Sequence, residues 1–233
     1  MIVTIDGPAG AGKSTAARNL ARNLGIAYLD TGATYRAVAW KLLCMDADLT
    51  DQQAVAHAAA EMDIRLVPGE DGVRVYADGL EVTEQIRLAE VTDSARYVAD
   101  CADARSVLVG LQRRIGRQLG SFVAEGRDQG SVVFPRADVK IYLDADPRER
   151  AERRQAEMAR QGQPADVDQV LAAMAERDRQ DMSRPVGALV KPDGAATVST
   201  TGKSIEQVAA ELLAIVRTAL DNRGGQPGRR AGR

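Results

Sequence analysis

Short apolar segments alternate with amphipathic stretches along most of the chain. The apolar segments are Ile2–Asp6, Ala27–Leu29, Ser121–Glu125, Val139–Asp144 and Ala196–Ser199. Each is too short for a helix, which predicts a buried strand. Because these segments mostly alternate with helical patterns, we expect an α/β fold with a five-stranded parallel sheet covered by helices.

The amphipathic stretches repeat apolar residues at helical spacing, as Leu108, Leu111 and Ile115 do. Thr50 or Asp51 is placed to cap one helix, and Ser204 with Gln207 forms a capping-box pattern. The predicted helices are Lys13–Leu24, Ala33–Met45, Asp51–Met62, Leu88–Ala99, Ala102–Leu119, Pro147–Gln161, Val167–Met182 and Ser204–Asn222.

The period changes from helical to alternating after Asp63. The stretch DIRLVPGEDGVRVYADGLEV alternates apolar and polar residues and is interrupted at Pro68-Gly69 and Asp78-Gly79. This pattern predicts a small antiparallel sheet. Since helices flank it, residues 63–97 form a predicted insert.

Composition restricts the class of protein. The 233 residues are 45% hydrophobic and 27% charged with a net charge of −2, which is typical of one globular domain without a nucleic-acid or membrane partner. No signal-peptide pattern is present, and we expect Cys44 and Cys101 to be buried reduced thiols in a cytoplasmic protein. A single histidine, His57, argues against a histidine zinc site or a Ser-His-Asp triad. The Gly- and Arg-rich residues 223–233 predict a disordered tail.

The segment GPAGAGKST carries the strongest chemical signal. It fills the phosphate-loop pattern GxxxxGK[ST] between a predicted strand and a predicted helix, and a chance match is on the order of one in a hundred. Glycines let backbone N–H groups converge on an anion, Lys13 supplies charge for the β and γ phosphates, and Ser14 offers a hydroxyl to Mg²⁺. The predicted ATP-binding residues of the loop are Gly7, Pro8, Ala9, Gly10, Ala11, Gly12, Lys13, Ser14 and Thr15.

The rest of the chain separates the classes of phosphate-loop protein. The DxxG and NKxD motifs of regulatory GTPases are absent, and the chain is short for a motor or transporter ATPase. Its many arginines after residue 100 favour a kinase that acts on a small molecule.

Polar side chains follow two further predicted strands. Asp30, Thr31, Tyr35 and Arg36 come after the second strand, where a helix cap would explain the first two but not Arg36. Glu125 ends the third strand, where phosphate-loop enzymes keep an acidic residue near Mg²⁺, and we expect it to reach the ion through water. Arg127 and Asp128 follow in a turn. A surface ion pair is the plain alternative, but the position favours a role in the site.

Arginines and acids are balanced in residues 147–184, so the segment is not a basic patch. Arg177, Asp181 and Arg184 are spaced to share one helical face. Two interpretations remain equal at this point: a solvated helix with salt bridges, or arginines that close over a phosphate.

The ordered segments GPAGAGKST, LDTGATYR, EGRDQGSVVFP, KIYLDAD, ERDRQDMSRPVGAL and TTGKSIEQV resemble the bacterial cytidylate kinase family of nucleoside monophosphate kinases over nearly the whole chain. The resemblance implies a monomer that transfers the γ-phosphoryl group of ATP·Mg²⁺ to CMP or dCMP and that has three parts. These are an ATP-binding core (1–30, 119–148, 167–222), a monophosphate-binding domain (31–118) and a lid (149–166).

The resemblance also assigns site residues. The implied catalytic set is Lys13, Arg127, Arg154 and Arg184, with Arg153 as a second lid arginine that contacts ATP. The implied substrate-binding set is Thr31, Tyr35, Arg36, Arg105, Arg127, Asp128, Arg177, Asp181 and Arg184. Thr31 and Glu125 stand where relatives often have Ser and Asp.

The residues by themselves leave two other hypotheses open. One keeps phosphoryl transfer but changes the acceptor to UMP, AMP or an alcohol such as shikimate. The other is a regulator that binds nucleotide without turnover, against which the intact Lys13 and Ser14 argue.

Overall fold

A parallel sheet of five strands forms the centre of the computed structural model, which describes residues 1–69, 72–160 and 162–224. The strands are β1 (Ile2–Asp6), β2 (Ala27–Asp30), β6 (Phe122–Gly126), β7 (Val139–Asp144) and β8 (Ala196–Ser199). Their order is β2-β6-β1-β7-β8, and every pairing in this sheet is parallel. The predicted α/β class is confirmed.

Helices occupy nearly all the predicted positions. They are α1 (Lys13–Leu24), α2 (Gly32–Cys44), α3 (Gln52–Glu61), α4 (Ala89–Asp100), α5 (Ala102–Leu119), α6 (Pro147–Arg160), α7 (Val167–Ser183) and α8 (Ile205–Gly224). Asp51 caps α3, and Ser204 and Gln207 bond reciprocally ahead of α8, as the capping pattern predicts.

The main hydrophobic core lies between the central sheet and the helices. Ile5, Phe122 and Ile141 on three neighbouring strands are fully buried, as is Leu20 on α1. The rings of Phe122 and Phe134 meet edge to face with centroids 5.0 Å apart. Because strands of a parallel sheet are covered on both faces, nearly continuous apolar runs such as IVTID are stable only in this position.

A second, antiparallel sheet confirms the predicted meander. It consists of β3 (Ile64–Gly69), β4 (Gly72–Ala77) and β5 (Leu80–Glu81) in sequence order. Asp78 and Gly79 both have positive φ, at 50° and 83°, which is the backbone of a two-residue hairpin turn. The strands end at Glu81, so the rest of the predicted insert is a 3₁₀ turn and most of α4.

Two predictions about single residues are wrong. Arg184 lies one residue beyond the end of α7 in extended backbone, so helical spacing does not align it with Asp181. Cys44 is exposed, because it closes α2 at the surface, whereas Cys101 is buried as expected. Both cysteines are free thiols.

The C-terminal segment agrees only in part with the predicted tail of residues 223–233. α8 continues to Gly224, so the first two residues of the predicted tail have helical backbone, and residues 225–233 lie outside the described part.

Among the described helices, none is both long and apolar enough to span a bilayer.

Candidate active site

The glycine-rich loop connects the end of β1 to the start of α1, as the motif requires. Gly10 and Gly12 have φ of 71° and 82°, a region that side chains with a Cβ rarely adopt. At Gly7 a Cβ would collide with the backbone carbonyl of Leu143 on the neighbouring strand. The glycines are therefore required both by the backbone angles and by the close packing of the loop on the sheet.

Lys13 lies under this loop rather than in solvent. Its side chain is buried and its Nζ donates to the carbonyl oxygen of Pro8 at 2.7 Å. Burial, together with the nearby charge of Arg127, lowers the pKa of Lys13 from 10.5 to about 7. A cation in this situation is stabilised by an added anion, as a phosphate-binding role requires.

Ser14 and Glu125 meet beside the loop. The Ser14 hydroxyl donates to Glu125 Oε1 at 2.6 Å, and the Tyr28 hydroxyl donates to the same oxygen at 3.2 Å. Hydroxyl and carboxylate oxygens are the ligands that Mg²⁺ prefers, so this pair fits the ion that the motif implies. Tyr28 fixes the orientation of the carboxylate.

Asp6 anchors the turn that follows β6. Its carboxylate is fully buried and accepts from the backbone N–H groups of Gln129 at 2.7 Å and Gly130 at 2.8 Å. Burial raises the pKa of Asp6 to about 6, although the two backbone donors oppose this. Because Arg127 and Asp128 immediately precede these amides, Asp6 sets the position of both.

Asp181 pairs with two arginines, one from the turn after β6 and one directly after its own helix. It accepts from Arg127 Nε at 2.9 Å and from Arg184 Nη2 at 2.7 Å, and Arg184 also donates to Asp100 on α4 at 2.8 Å. Burial acts to raise the pKa of Asp181, but the surrounding arginines outweigh it and lower the pKa. Arg127 and Asp128 are therefore not a surface pair with each other, since each bonds elsewhere.

Arg177 completes this cluster of positive charge. Burial and the charge of Arg127 both lower the pKa of Arg177, and Arg154 on α6 contributes in the same direction. Its nearest acidic partner is Asp93, at 3.8 Å. The cluster thus holds several guanidinium groups close together, an arrangement suited to a phosphate group.

Asp128 and Arg105 form a second buried pair. Arg105 Nη2 donates to Asp128 and to the carbonyl oxygen of Gly187, and its guanidinium lies 5.6 Å from the ring centre of Tyr35. Burial, opposed by Arg105, raises the pKa of Tyr35 to about 12. A carboxylate and a guanidinium side by side present both hydrogen-bond acceptors and donors to a polar ring.

The residues after β2 are tied into the same edge of the sheet. Asp30 accepts from the backbone N–H of Ala33 at 3.0 Å and from Arg36 at 2.8 Å, so it both caps α2 and holds an arginine. The Thr31 hydroxyl donates to the carbonyl of Glu125 at 2.6 Å. The capping explanation therefore holds for Asp30, which also holds Arg36, but not for Thr31, whose side chain makes no cap hydrogen bond.

Arg153 and Arg154, which the family resemblance assigns to a lid, lie in different surroundings. Arg153 donates to the hydroxyl and carbonyl of Thr200, at 2.9 Å each, and Thr200 in turn donates to Ala11 of the glycine-rich loop at 3.3 Å. Arg154 pairs with Glu157 on its own helix at 2.9 Å. The helix of residues 147–160 therefore carries surface salt bridges and one arginine that is joined to the glycine-rich loop through Thr200, and closure of its arginines over a phosphate stays a prediction.

Several residues that hold the site were not found from the sequence. Asp6 had a visible signal, a charge at the end of a buried strand. Asp100, Asp178 and Gly187 had none, because their partners lie far along the chain.

This sheet, loop and arginine cluster define a phosphate-loop protein of the kinase class, and comparisons with known proteins place it further. Residues 3–218 match the family model described as cytidylate kinase. A cytidylate kinase from Rhodopirellula baltica is 44% identical over 219 residues, covering 93% of each chain. A cytidylate kinase from Carboxydothermus hydrogenoformans is 42% identical, covering 93% of this chain and 97% of its own. The chain belongs to the cytidylate kinase family.

Other relatives are longer proteins or share only the fold. A bifunctional pantoate ligase/cytidylate kinase from Nostoc sp. is 46% identical over 91% of this chain, which spans 40% of that relative's length. The crystal structure of an uncharacterized protein from Eubacterium ventriosum superposes with a TM-score of 0.51 over 94% of this chain at 12% identity. That likeness extends to the fold alone.

Proposed function

We propose that this protein transfers the γ-phosphoryl group of ATP to the 5′-phosphate of CMP or dCMP, giving ADP and CDP or dCDP. The observation that carries the proposal is the convergence of two sets of groups. Lys13 and Ser14 lie on the glycine-rich loop, and the arginines around Asp181 lie close enough that Arg127 lowers the pKa of Lys13. Family membership supports the same reaction.

In the proposed reaction an oxygen of the acceptor phosphate attacks the γ-phosphorus, and the bond to the β–γ bridging oxygen breaks to release ADP. A phosphate monoester is largely ionised at neutral pH, so no strong general base is required. The loop amides and Lys13 hold the donor phosphates, while Arg36, Arg127 and Arg184 hold the acceptor phosphate. Arg153 and Arg154 cover the donor from α6. Positioning and neutralisation of charge supply the catalysis.

Ser14 and Glu125 are the residues that would hold Mg²⁺, since they place two hard oxygen ligands together beside the loop. When bound, the ion neutralises charge on the transferred phosphoryl group.

Recognition of the acceptor is assigned to the buried groups beyond the arginine cluster. Asp128 with Arg105 would contact the cytosine edge, where acceptors and donors are both needed. Thr31, whose hydroxyl is held by the carbonyl of Glu125, would lie near the cytosine or the sugar. Arg177 and Asp181 would contact the sugar. Tyr35 closes the Arg105 side of this pocket.

The test is ADP release from ATP·Mg²⁺ in a coupled assay with CMP, dCMP, UMP, AMP, GMP, shikimate or no acceptor. Rates with CMP and dCMP far above the rest are expected. A preference for UMP or AMP would keep the mechanism and overturn the assignment of the base-contacting residues. Binding of ATP without transfer to any acceptor would support the regulator instead. Lys13→Ala, expected to abolish transfer with the far-UV circular dichroism unchanged, is the matched inactive variant.

We further propose that the protein acts as a monomer in the cytoplasm. The free thiols of Cys44 and Cys101 support a reducing compartment. Light scattering of the eluted protein at assay concentration tests the oligomeric state.

A further inference from the structure

We propose that Arg150 and Asp178 are positioning residues for the nucleotide, which act by clamping the main chain of Ala9 in the glycine-rich loop. The proposal rests on the proposed function, because it concerns the loop that is taken to bind ATP. Neither residue contacts the phosphate groups in this scheme. Both act through the backbone that does.

The clamp closes on both sides of one residue. Arg150 Nη1 donates to the carbonyl oxygen of Ala9 at 2.9 Å, and the N–H of Ala9 donates to Asp178 Oδ1 at 3.3 Å. The two side chains are joined to each other by a contact of 2.6 Å between Arg150 Nη1 and Asp178 Oδ2. Arg150 Nε also donates to the carbonyl of Ala145 at 3.3 Å, which ties the clamp to the end of β7.

The surroundings of the clamp make its geometry strict. The side chains of Arg150 and Asp178 are 8% and 9% exposed. They lie next to a small apolar cluster in which Val170 and Met174 of α7 pack with Ala151 of α6, and Ala9 contacts this cluster. A buried ion pair has few alternative arrangements, because any displacement leaves a charge unpaired in an apolar environment.

The contact at Ala9 reaches the adjacent glycine. A Cβ at Gly10 would lie 2.8 Å from Met174 Cε and 3.2 Å from both Arg150 Cβ and the Arg150 carbonyl oxygen. The tip of the loop therefore rests on α6 and α7 at the same place where the ion pair holds it. Since Pro8 has no N–H and the Ala9 N–H is taken by Asp178, the clamp leaves the amides from Gly10 onward for the phosphate groups.

A second ion pair between the same two helices provides a control. Arg148 and Asp168 are 3.1 Å apart and lie at the surface, with side chains 58% and 73% exposed. This pair joins α6 to α7 as the clamp does, but no contact links it to the glycine-rich loop within the described residues. Removal of either ion pair loses a contact between α6 and α7, whereas only removal of the clamp releases the main chain of Ala9.

The experiment compares two double variants, Arg150→Met with Asp178→Leu and Arg148→Met with Asp168→Leu. Replacement of both members of a buried pair by apolar residues leaves no unpaired charge, so the first variant is expected to fold. Measurements are the thermal midpoint, the Kd for ADP by calorimetry, and the KM for ATP and for CMP. We expect the clamp variant to raise the Kd for ADP and the KM for ATP about ten-fold or more, because Ala9 loses two charge-assisted hydrogen bonds. The KM for CMP should change far less, and the surface variant should match the wild type.

An unchanged Kd for ADP in a folded clamp variant would overturn the proposal. If that variant does not fold, Asp178→Asn gives the reading instead, because its NH₂ group must face either the Ala9 N–H or Arg150 Nη1 and so breaks one side of the clamp: a raised Kd for ADP supports the clamp and an unchanged Kd overturns it. Failure of the wild-type protein to bind ADP would overturn the proposed function itself, and the clamp with it.

Discussion

Arg105 and Asp128 form an ion pair in which each side chain is only 4% exposed, and the carbonyl of Gly187 lies against the same guanidinium. Gly187 has a φ of 69°, and a Cβ there would overlap the Arg105 guanidinium. The loop after α7 thus passes directly over the pair that is proposed to read the base. Gly187 is a requirement of that close approach as well as of the turn.

Gly187→Ala is accordingly expected to displace Arg105 and to raise the KM for CMP about ten-fold, with a much smaller change in the KM for ATP. Steady-state kinetics with each substrate varied separately measures this. Gly194→Ala is the control, since Gly194 has a similar φ of 73° but a Cβ at that position would have no described atom within 4 Å. Both variants carry the backbone strain of about 1–2 kcal/mol. If both variants raise the KM for CMP equally, backbone strain rather than the displacement of Arg105 is responsible for the increase.

Nucleotide binding should be accompanied by proton uptake at alkaline pH. The pKa of Lys13 in the folded protein without nucleotide is about 7, well below its ordinary 10.5, so the amine is largely neutral at about pH 8.5. Phosphate groups of bound ATP or ADP favour the charged form and raise this pKa again. Calorimetric titration with ADP in buffers of different ionisation enthalpy should therefore show uptake approaching one proton. Lys13→Met should remove it, and its persistence in that variant would contradict the assignment.

The same shift predicts how stability varies with pH when nucleotide is absent. In the unfolded chain Lys13 remains protonated up to its ordinary pKa, whereas the folded protein loses this proton near pH 7. The unfolded state binds more protons between these values, so the contribution of Lys13 to the free energy of unfolding rises as the pH rises through that window. Urea unfolding at several pH values should show a steeper rise for the wild type than for Lys13→Met.

Asp6→Asn should weaken catalysis without contact with either substrate. The amide has one acceptor oxygen, so its NH₂ group would face one of the two backbone donors, Gln129 or Gly130, that the carboxylate now accepts. The turn with Arg127 and Asp128 would shift, and kcat is expected to fall about ten-fold or more. Asp193→Asn, at an exposed position, is the control. A normal kcat in Asp6→Asn would remove the anchoring role.

The pH dependence of Asp6 has the opposite sign to that of Lys13. Its folded pKa of about 6 lies above the ordinary 3.8, so the folded state binds the extra proton between these values. The contribution of Asp6 to the free energy of unfolding therefore decreases as pH rises from about 4 to about 6. The difference in the free energy of unfolding between the wild type and Asp6→Asn should change across this window and level off above it.

Thiol labelling should distinguish the two cysteines. Cys44 is exposed at the end of α2, and Cys101 is buried where its Sγ approaches the carbonyl of Gln52 at 3.5 Å. One thiol is expected to react with an aromatic disulfide reagent in the folded protein and the second only in denaturant. Cys44→Ser should abolish the fast phase; if the fast phase persists, Cys101 becomes accessible through local opening.

Local patterns predicted the sheet, the loop and the hairpin turn because each depends on neighbours in the chain. The strand–loop–helix around Lys13 and the Asp78-Gly79 turn are determined by a few adjacent residues. The environment of Cys44 was predicted wrongly, since the outer face of α2 depends on what packs against it. Arg184 was predicted to share a helical face with Asp181, but it reaches Asp181 from the C-cap position directly after α7, where the backbone has already left the helix.

The supports of the candidate site could not be inferred because they join distant segments. Asp6 bonds to residues 129 and 130, and Asp178 bonds to Ala9 and Arg150. No spacing rule relates such positions, and although the charge of Asp6 at the end of a buried strand is a visible signal, nothing in the sequence identifies its partners. Only tertiary structure shows that they are buried and paired.

The placement of β1 in the middle of the sheet has a consequence for synthesis of the protein. Ile2 pairs with Phe122, and Val3 pairs with Val139, so both edges of the first strand wait for partners made more than a hundred residues later. At the usual elongation rate of about 5–20 residues per second, the nascent chain carries this apolar strand unpaired for roughly 6 to 24 seconds. The segment that ends in the glycine-rich loop thus leaves the ribosome well before either strand that pairs with it, and chaperones have that interval in which to bind it.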